Sequence, residues 1–282
     1  MMISKNSFKS FVLINGFVFI LSICQFKATN LYQMSVCINL LIVFAFMIFR
    51  NYILILFLTH NTRNKKQMIN NPGLPIERYK NEFHLRVFSS TSIEAITYVF
   101  IKNNIAMNTS IILYDFIYFI PISFTFELIF DLFHYLSHRL LHSNKYLYKN
   151  IHKEHHNFQY VTPIITFYQN PIDLIISNSI PTILTLLIIP KMTLFNFNAI
   201  LVYKSFIEIS GHSGKQLYPN TSFIQFRWMP IYLNIQLYSE DHFLHHHLNN
   251  CNYSKRFSLW DKAFGTYTPM KQLTDCIRPL NK

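Results

Sequence analysis

The chain is poor in charge, in glycine and in paired cysteine. Only 13% of its 282 residues are Asp, Glu, Lys or Arg, about half the share in a soluble globular domain. That deficit points to a bilayer, where charge is costly. Five glycines form no G-x-G-x-x-G run, so no dinucleotide-binding turn is readable. The four cysteines, Cys24, Cys37, Cys251 and Cys276, form no C-x-x-C pair, which argues against a zinc ribbon or a disulfide framework. There is no recognisable haem-binding domain, internal repeat or low-complexity tail.

What is abundant is apolar and aromatic surface. Half the residues are hydrophobic and the mean hydropathy is +0.20. The formal net charge of +12 raises nucleic-acid binding. The basic residues Arg63, Lys65, Lys66, Arg78, Lys80 and Arg86 are scattered between apolar runs, and membrane loops enrich Lys and Arg in the same way. We therefore expect a membrane and no nucleic acid.

The apolar runs come in pairs. Phe11–Phe26 and Leu31–Leu58 form the first, Leu85–Ile101 and Met107–Phe130 the second, Ile172–Ile189 and Thr193–Ile209 the third. Each is close to the roughly 20 residues that a spanning helix needs. The first run reads as an uncleaved anchor, because a second run follows directly and no A-x-A site is present. Glu94 and Pro121 interrupt the second pair, which could be a re-entrant hairpin. Pro72-Gly73 and Pro75 break the polar stretch after residue 59, and Pro190-Lys191 separates the third pair. Paired crossings return the chain to one side, so 60–84, 131–170 and 211–282 share a face. Those segments hold most of the Lys and Arg, so that face is expected to be cytoplasmic. The fold expected is all-α: a polytopic membrane protein with paired transmembrane helices and a helical cap on the cytoplasmic face. Its parts are membrane helices and a basic loop over 1–126, a histidine-bearing domain over 127–268 and a tail over 269–282.

Of 13 histidines, 11 lie between 134 and 247. They read Asp131-x-x-His134-x-x-x-His138-Arg139-x-x-His142, then His152-x-x-His155-His156, then Gly211-His212-Ser213-Gly214, then His242-x-x-His245-His246-His247. Residues three or four apart share a helix face. His138 and His142 can therefore aim at one point, as can His152 with His155 or His156, and His242 with His245 or His246. Neutral imidazole is a good ligand for iron, zinc or copper. At this histidine frequency an H-x-x-H-H arises by chance at roughly one position in ten thousand, and here it occurs twice. A structural zinc site closes with four ligands. The surplus favours two redox-active ions. His60 and His84 stand apart and read as surface residues, while His134, His212 and His247 are weaker candidates. Ligating histidines usually donate their second N–H to a carboxylate or carbonyl, and Asp131, Glu154, Glu208, Glu240 and Asp241 are placed for that role.

The stretches DLFHYLSHRLLH (131–142), LYKNIHKEHH (147–156), GHSGKQLYP (211–219) and DHFLHHHLNNCNYSKRFSLWDKAFGT (241–266) resemble, in order and spacing, the fatty acid hydroxylase / sterol desaturase superfamily. The last stretch is most similar to its sterol-hydroxylating and methyl-oxidising branches. The resemblance implies a di-iron, oxygen-dependent lipid oxidase of the endoplasmic reticulum. It implies metal ligands at His138, His142, His152, His155, His156, His212, His242, His245 and His246, with His134, Asp131 and Glu208 as further candidates for the metal or its surroundings. It implies electrons from NAD(P)H through a separate cytochrome b5-type donor and its reductase. Hydroxylation of a sterol or related lipid is the expected outcome; a desaturase or a catalytically inactive lipid-binding relative are the alternatives. A metal transporter would carry its polar groups within the spans, and here they lie mostly outside. Many relatives have a His-Pro pair and a carboxylate after the second box. This chain has Asn170-Pro171-Ile172-Asp173, and an amide is a poor substitute for imidazole as an iron ligand.

Overall fold

The computed structural model describes residues 5–30, 35–68, 76–157, 162–189, 192–218 and 220–269. Residues 31–34, where the second apolar run begins, lie outside these, as do Pro72-Gly73, Pro75, Pro190-Lys191, Pro219 and Cys276. Among the described residues there is no strand, only isolated bridges.

Four long helices come first: α1 (Lys5–Thr29), α2 (Val36–Asn61), α3 (Ile76–Asn104) and α4 (Ile112–Ser143). Ser35 starts α2 by accepting the amide of Ile38, satisfying one of the donors that a helix start leaves free. In α4, Pro121 sits inside the helix, where it removes one backbone bond but does not end the element. A short helical stretch follows: α5 (Lys145–Leu147), a π-helical turn (Tyr148–His152) and α6 (Lys153–His156). Next, α7 (Pro171–Leu174) runs through a second π-helical turn (Ile175–Ser179) into α8 (Ile180–Ile188). Thr193 caps α9 (Leu194–Gly211), and α10 (Trp228–Tyr232), α11 (Ser239–Leu248) and α12 (Leu259–Ala263) complete the order.

Four helical segments are long and apolar enough to cross a membrane: Phe8–Thr29, Val36–Asn61, Leu113–Ser143 and Pro171–Ile188. The other two apolar runs of the sequence have different fates. α3 carries Glu82, Arg86, Glu94 and Lys102, and its composition falls short of a span. α9 is the central helix: almost all its side chains are buried, packed against α1, α2 and α4. It is apolar because the core of the bundle surrounds it, a reading periodicity alone cannot separate from a span. The outward faces remain apolar, with Leu41, Leu56, Leu113 and Leu187 all exposed, as a lipid-facing surface requires.

The helices differ in reach, and this places the histidines. At 1.5 Å per residue the 32 residues of α4 extend about 48 Å, against roughly 30 Å of hydrocarbon. About 12 residues, the Asp131–His142 end, therefore project beyond the apolar layer. Arg50 shows how a charge is carried within the bundle. Arg50, fully buried, meets the Glu94 carboxylate at 2.7 Å and also bonds Gln25 and Asn51. Pairing of this kind is what makes ionic groups tolerable at such depth. The loop after α9 is tied to the end of α2: the Met68 amide donates to Gly214 O, and Gln216 to Lys66 O. Gly214 adopts φ 66° there, a conformation open to glycine at no steric cost.

Candidate metal centre

Nine histidines from α4, α5–α6, the end of α9 and α11 meet in two adjacent groups. The first holds His138, His142, His152, His156 and His245, the second His155, His212, His242 and His246, with the ligand atoms of each group all within 4.8 Å of one another. The two share a wall, since the His156 and His246 rings are 4.7 Å apart. The local geometry decides the partition. Side chains four apart on a helix point nearly the same way, so His138 and His142 enter one group together, as do His152 and His156, and His242 and His246. The members three apart cross over: His155 leaves its box for the second group, and His245 leaves its box for the first.

The spacings are those of a ligand set. In the first group Nε2 of His152 lies 3.1 Å from that of His138, 2.9 Å from that of His142 and 3.0 Å from that of His156, and His245 lies 3.2 Å from His156. In the second, Nε2 of His212 lies 3.3, 3.1 and 3.3 Å from those of His155, His242 and His246. Nitrogens bound at about 2.1 Å to one ion stand about 3.0 Å apart at right angles and about 3.4 Å apart at the tetrahedral angle. The first group, with five donors at the shorter spacing, exceeds a closed tetrahedral site.

The opposite ring nitrogens suit these contacts to a cation. Nδ1 of His138 donates to Tyr253 O at 2.8 Å, Nδ1 of His245 to Cys251 O at 2.7 Å and Nδ1 of His212 to Glu208 O at 2.7 Å. A carbonyl oxygen only accepts, so each Nδ1 holds the proton and each neutral ring turns a lone pair inward through Nε2. Burial keeps the rings neutral by disfavouring their charged form: it pushes His212 down to about 4 and His245 down to about 3, and holds His155, His156, His242 and His246 well below the usual imidazole range. Lone pairs converging at about 3 Å repel unless a positive ion sits among them. The residues present therefore fit bound metal.

The surroundings differ from the sequence expectation in five carboxylates. Asp131 accepts the amides of Lys255, Arg256 and Phe257, pinning the loop whose carbonyls hold His138 and His245. The Glu208 carboxylate turns to Lys204, Lys255 and Arg256; only its peptide oxygen serves His212. Glu154 pairs with Arg86, Glu240 accepts the Tyr218 amide, and Asp241 caps α11 through the Tyr238 amide. Helix starts and loop amides compete for carboxylates, and here they win. His134 lies one turn before His138, its Nδ1 bonded to Ser177 O, outside both groups. His247 is outside as well, stacked on Phe243, and His60 and His84 are exposed.

The carboxylate that does reach a cluster ring is Asp173, whose Oδ2 meets His152 Nδ1 at 2.8 Å. Asn170, in contrast, caps α7 by accepting the Ile172 amide and belongs to neither histidine group. Two features of the 249–257 loop were not read from the sequence. Asn249 and Asn252 take positive φ, 61° and 53°, turning the chain back so that the Cys251 and Tyr253 carbonyls face the rings. Asp261 then accepts the amides of Tyr253 and Ser254. The Asn-Asn-Cys-Asn run is the available signal, because asparagine tolerates that conformation better than most residues.

Comparison with known proteins agrees with this centre. A family model described as fatty acid hydroxylase matches residues 123–266. The chain is similar to fatty acid hydroxylase vlmA of Lecanicillium sp, 32% identical over 124 residues, 41% of this chain and 33% of that one. It is similar to sphinganine C4-monooxygenases 1 and 2 of Arabidopsis thaliana, 26% identical over 132 residues and 28% over 148. These alignments cover 45% and 50% of this chain and 46% and 52% of the relatives, so the match spans a third to about half of each curated protein. No solved structure matches. The family match takes in all nine clustered histidines and just over half of the chain, which therefore belongs to the fatty acid hydroxylase / sterol desaturase superfamily.

Proposed function

We propose that the protein is a membrane-bound, oxygen-dependent lipid hydroxylase with two iron ions, one held by His138, His142, His152, His156 and His245 and one by His155, His212, His242 and His246. The observation that carries this reading is the convergence of neutral imidazole lone pairs into two adjacent buried groups. Imidazole suits several first-row metals; five donors at about 3 Å argue against structural zinc, and family membership favours iron. Bound there, the pair supplies the oxygen activation that converts a C–H bond to C–OH. The overall balance is one oxygen molecule, two electrons and two protons per alcohol and water formed.

The chain's own residues do the positioning. The Tyr253, Cys251 and Glu208 carbonyls hold three rings in one tautomer, and Asp173 orients His152 in the same way. Burial keeps bulk water from the rings. Electrons come from NAD(P)H through a separate cytochrome b5-type donor and its reductase. Arg139, Lys145, Lys149 and Lys153 are all exposed beside the first two boxes, a surface that draws an acidic partner. Family membership favours the endoplasmic reticulum, and the Lys and Arg distribution favours this face in the cytoplasm.

On substrate, the His245–Thr266 stretch supports a sterol-like lipid, whereas the named relatives favour an acyl or long-chain substrate. An inactive relative rested on Asn170, which stands outside the histidine groups. The test is expression in a host lacking such oxidases, with labelled sterols, fatty acids and long-chain bases. The expected product carries one added oxygen, and the purified protein two irons. Loss of two hydrogens instead marks a desaturase, and absence of both metal and product overturns the reading. Contacts of Met68 with Gly214 and of His155 with His212 hold the segments after α2, α6 and α9 together, so glycosylation tags near residues 65, 160 and 275 are expected to stay unmodified; a modified tag overturns the orientation.

Asp173→Asn keeps the size of the side chain but removes the charge that orients His152. Iron affinity is expected to fall by roughly tenfold to a hundredfold, the usual effect of such outer partners. Competitive chelator titration measures it. Unchanged affinity means that the 2.8 Å contact has no bearing on the centre.

A further inference from the structure

A second feature of α9 has no place in the metal centre. One side of the helix, through Lys204, Ser205 and Glu208, faces a partly open cavity of about 70 Å³ lined by α2, α3 and the 166–182 segment. The cavity reaches the histidines at two points. Gln169 lines it, with Nε2 3.5 Å from Nδ1 of His155, and Glu208 lines it while its peptide oxygen holds His212.

The lining is unexpectedly polar for a space between apolar helices. Both oxygens of Glu94 accept from Arg50, yet the Glu94 side chain is 27% exposed where Arg50 is 0%, so the carboxylate is the side of the pair that faces the cavity. Ser205 lies between Glu94 and Glu208, its Oγ 3.5 Å from Glu94 Oε1. Oγ of Thr166, also in the lining, is buried and has no hydrogen-bond partner among the described residues. Hydrocarbon against the unpartnered Thr166 hydroxyl would take away its water and return nothing, at about 1–3 kcal/mol, and would leave unused the lone pairs that the Glu94 and Glu208 carboxylates keep beyond their cation partners. A ligand that donates hydrogen bonds removes that cost.

We propose that this cavity is a head-group pocket, in which Glu94, Ser205 and Glu208 accept hydrogen bonds from the hydroxyl or amine of a single-chain lipid. This rests on the reading of the chain as a lipid hydroxylase and adds a position to it. Glu208 and His212 are one helical turn apart, about 6 Å along the axis. A head held at Glu208 presents the carbons next to it to the metal centre, so oxidation falls within roughly the first six carbons, since 6 Å spans about that length of extended chain.

The experiment uses the full-length, iron-loaded protein and four probes: 1-octadecanol, octadecylamine, methyl octadecanoate (a head that only accepts) and octadecane. Binding is read by thermal stabilisation, without turnover, so it is independent of whether the chain oxidises anything. The alcohol and the amine are expected to bind at least tenfold more tightly than the ester or the alkane. Ser205→Leu, which fills the space between the two carboxylates and leaves the Arg50–Glu94 and Lys204–Glu208 pairs in place, is expected to erase that preference with iron content unchanged. Glu208→Gln serves as a second variant should Ser205→Leu lose iron. Equal binding of alcohol and ester, a preference that survives both substitutions, or a product oxidised in mid-chain overturns the proposal. Loss of metal and product together, with the binding preference intact, overturns the hydroxylase reading and leaves the pocket standing.

Discussion

Replacing His245 with alanine is expected to abolish lipid oxidation while the protein still inserts in the membrane. His245 is fully buried, its Nδ1 is fixed on the Cys251 carbonyl and its Nε2 points into the five-membered group. It also joins the two halves of the centre, because it comes from the same turn of α11 as His242 and His246 but serves the other group. Loss of an outer partner costs a metal site about tenfold to a hundredfold, and loss of an inward-facing nitrogen should exceed that. Turnover should drop at least about a hundredfold, with iron falling below two per chain. His155→Ala is the matching change in the second group. Membrane extraction, metal analysis and product formation are measured on the same preparations. Full turnover with two irons in either variant removes the ligand assignment.

Arg256→Met is expected to destabilise the protein by about 3–5 kcal/mol, the cost of stranding one partner of a buried ion pair. Arg256 Nε meets Glu127 Oε2 at 2.7 Å, both side chains wholly buried, and the guanidinium lies over the Phe130 ring. The substitution leaves Glu127 charged or protonated among apolar neighbours with no donor. Changing both residues, as in Glu127→Leu with Arg256→Met, is expected to recover most of the loss, since a buried pair can often be replaced by apolar side chains at little cost. Chemical unfolding in detergent compares the three variants. Iron loss should accompany the single substitution only, because Arg256 sits in the 249–257 loop that holds His138 and His245. A single variant within about 1 kcal/mol of the parent chain means that the pair is not what anchors α4 to that loop.

Some of this was readable in the order of residues, and the reason is local geometry. Low charge and long apolar runs depend on composition alone, and they indicated a membrane-embedded, all-helical chain. The two H-x-x-H-H boxes and the pair His138 and His142 follow from helix periodicity, which any helix imposes on residues three or four apart. Asp173 could be singled out as a carboxylate position by resemblance. Sequence could not separate α9 from a span, because burial in a bundle and burial in lipid select the same residues. It could not assign the carboxylates either: Asp131, Glu208 and Asp241 lie near histidines in sequence, yet backbone amides and cations from distant segments claim them.

The chain's order thus determined which residues can ligate and which faces they share, since both are properties of single helices. Only the tertiary structure decided that His155 and His245 exchange groups and that Asn170 caps a helix outside both. It alone placed the Glu94–Glu208 cavity directly against the second group. Each of these depends on where four separate helical segments are packed, and contacts between segments up to about a hundred residues apart, such as His245 with His156, leave no periodic trace in any one of them.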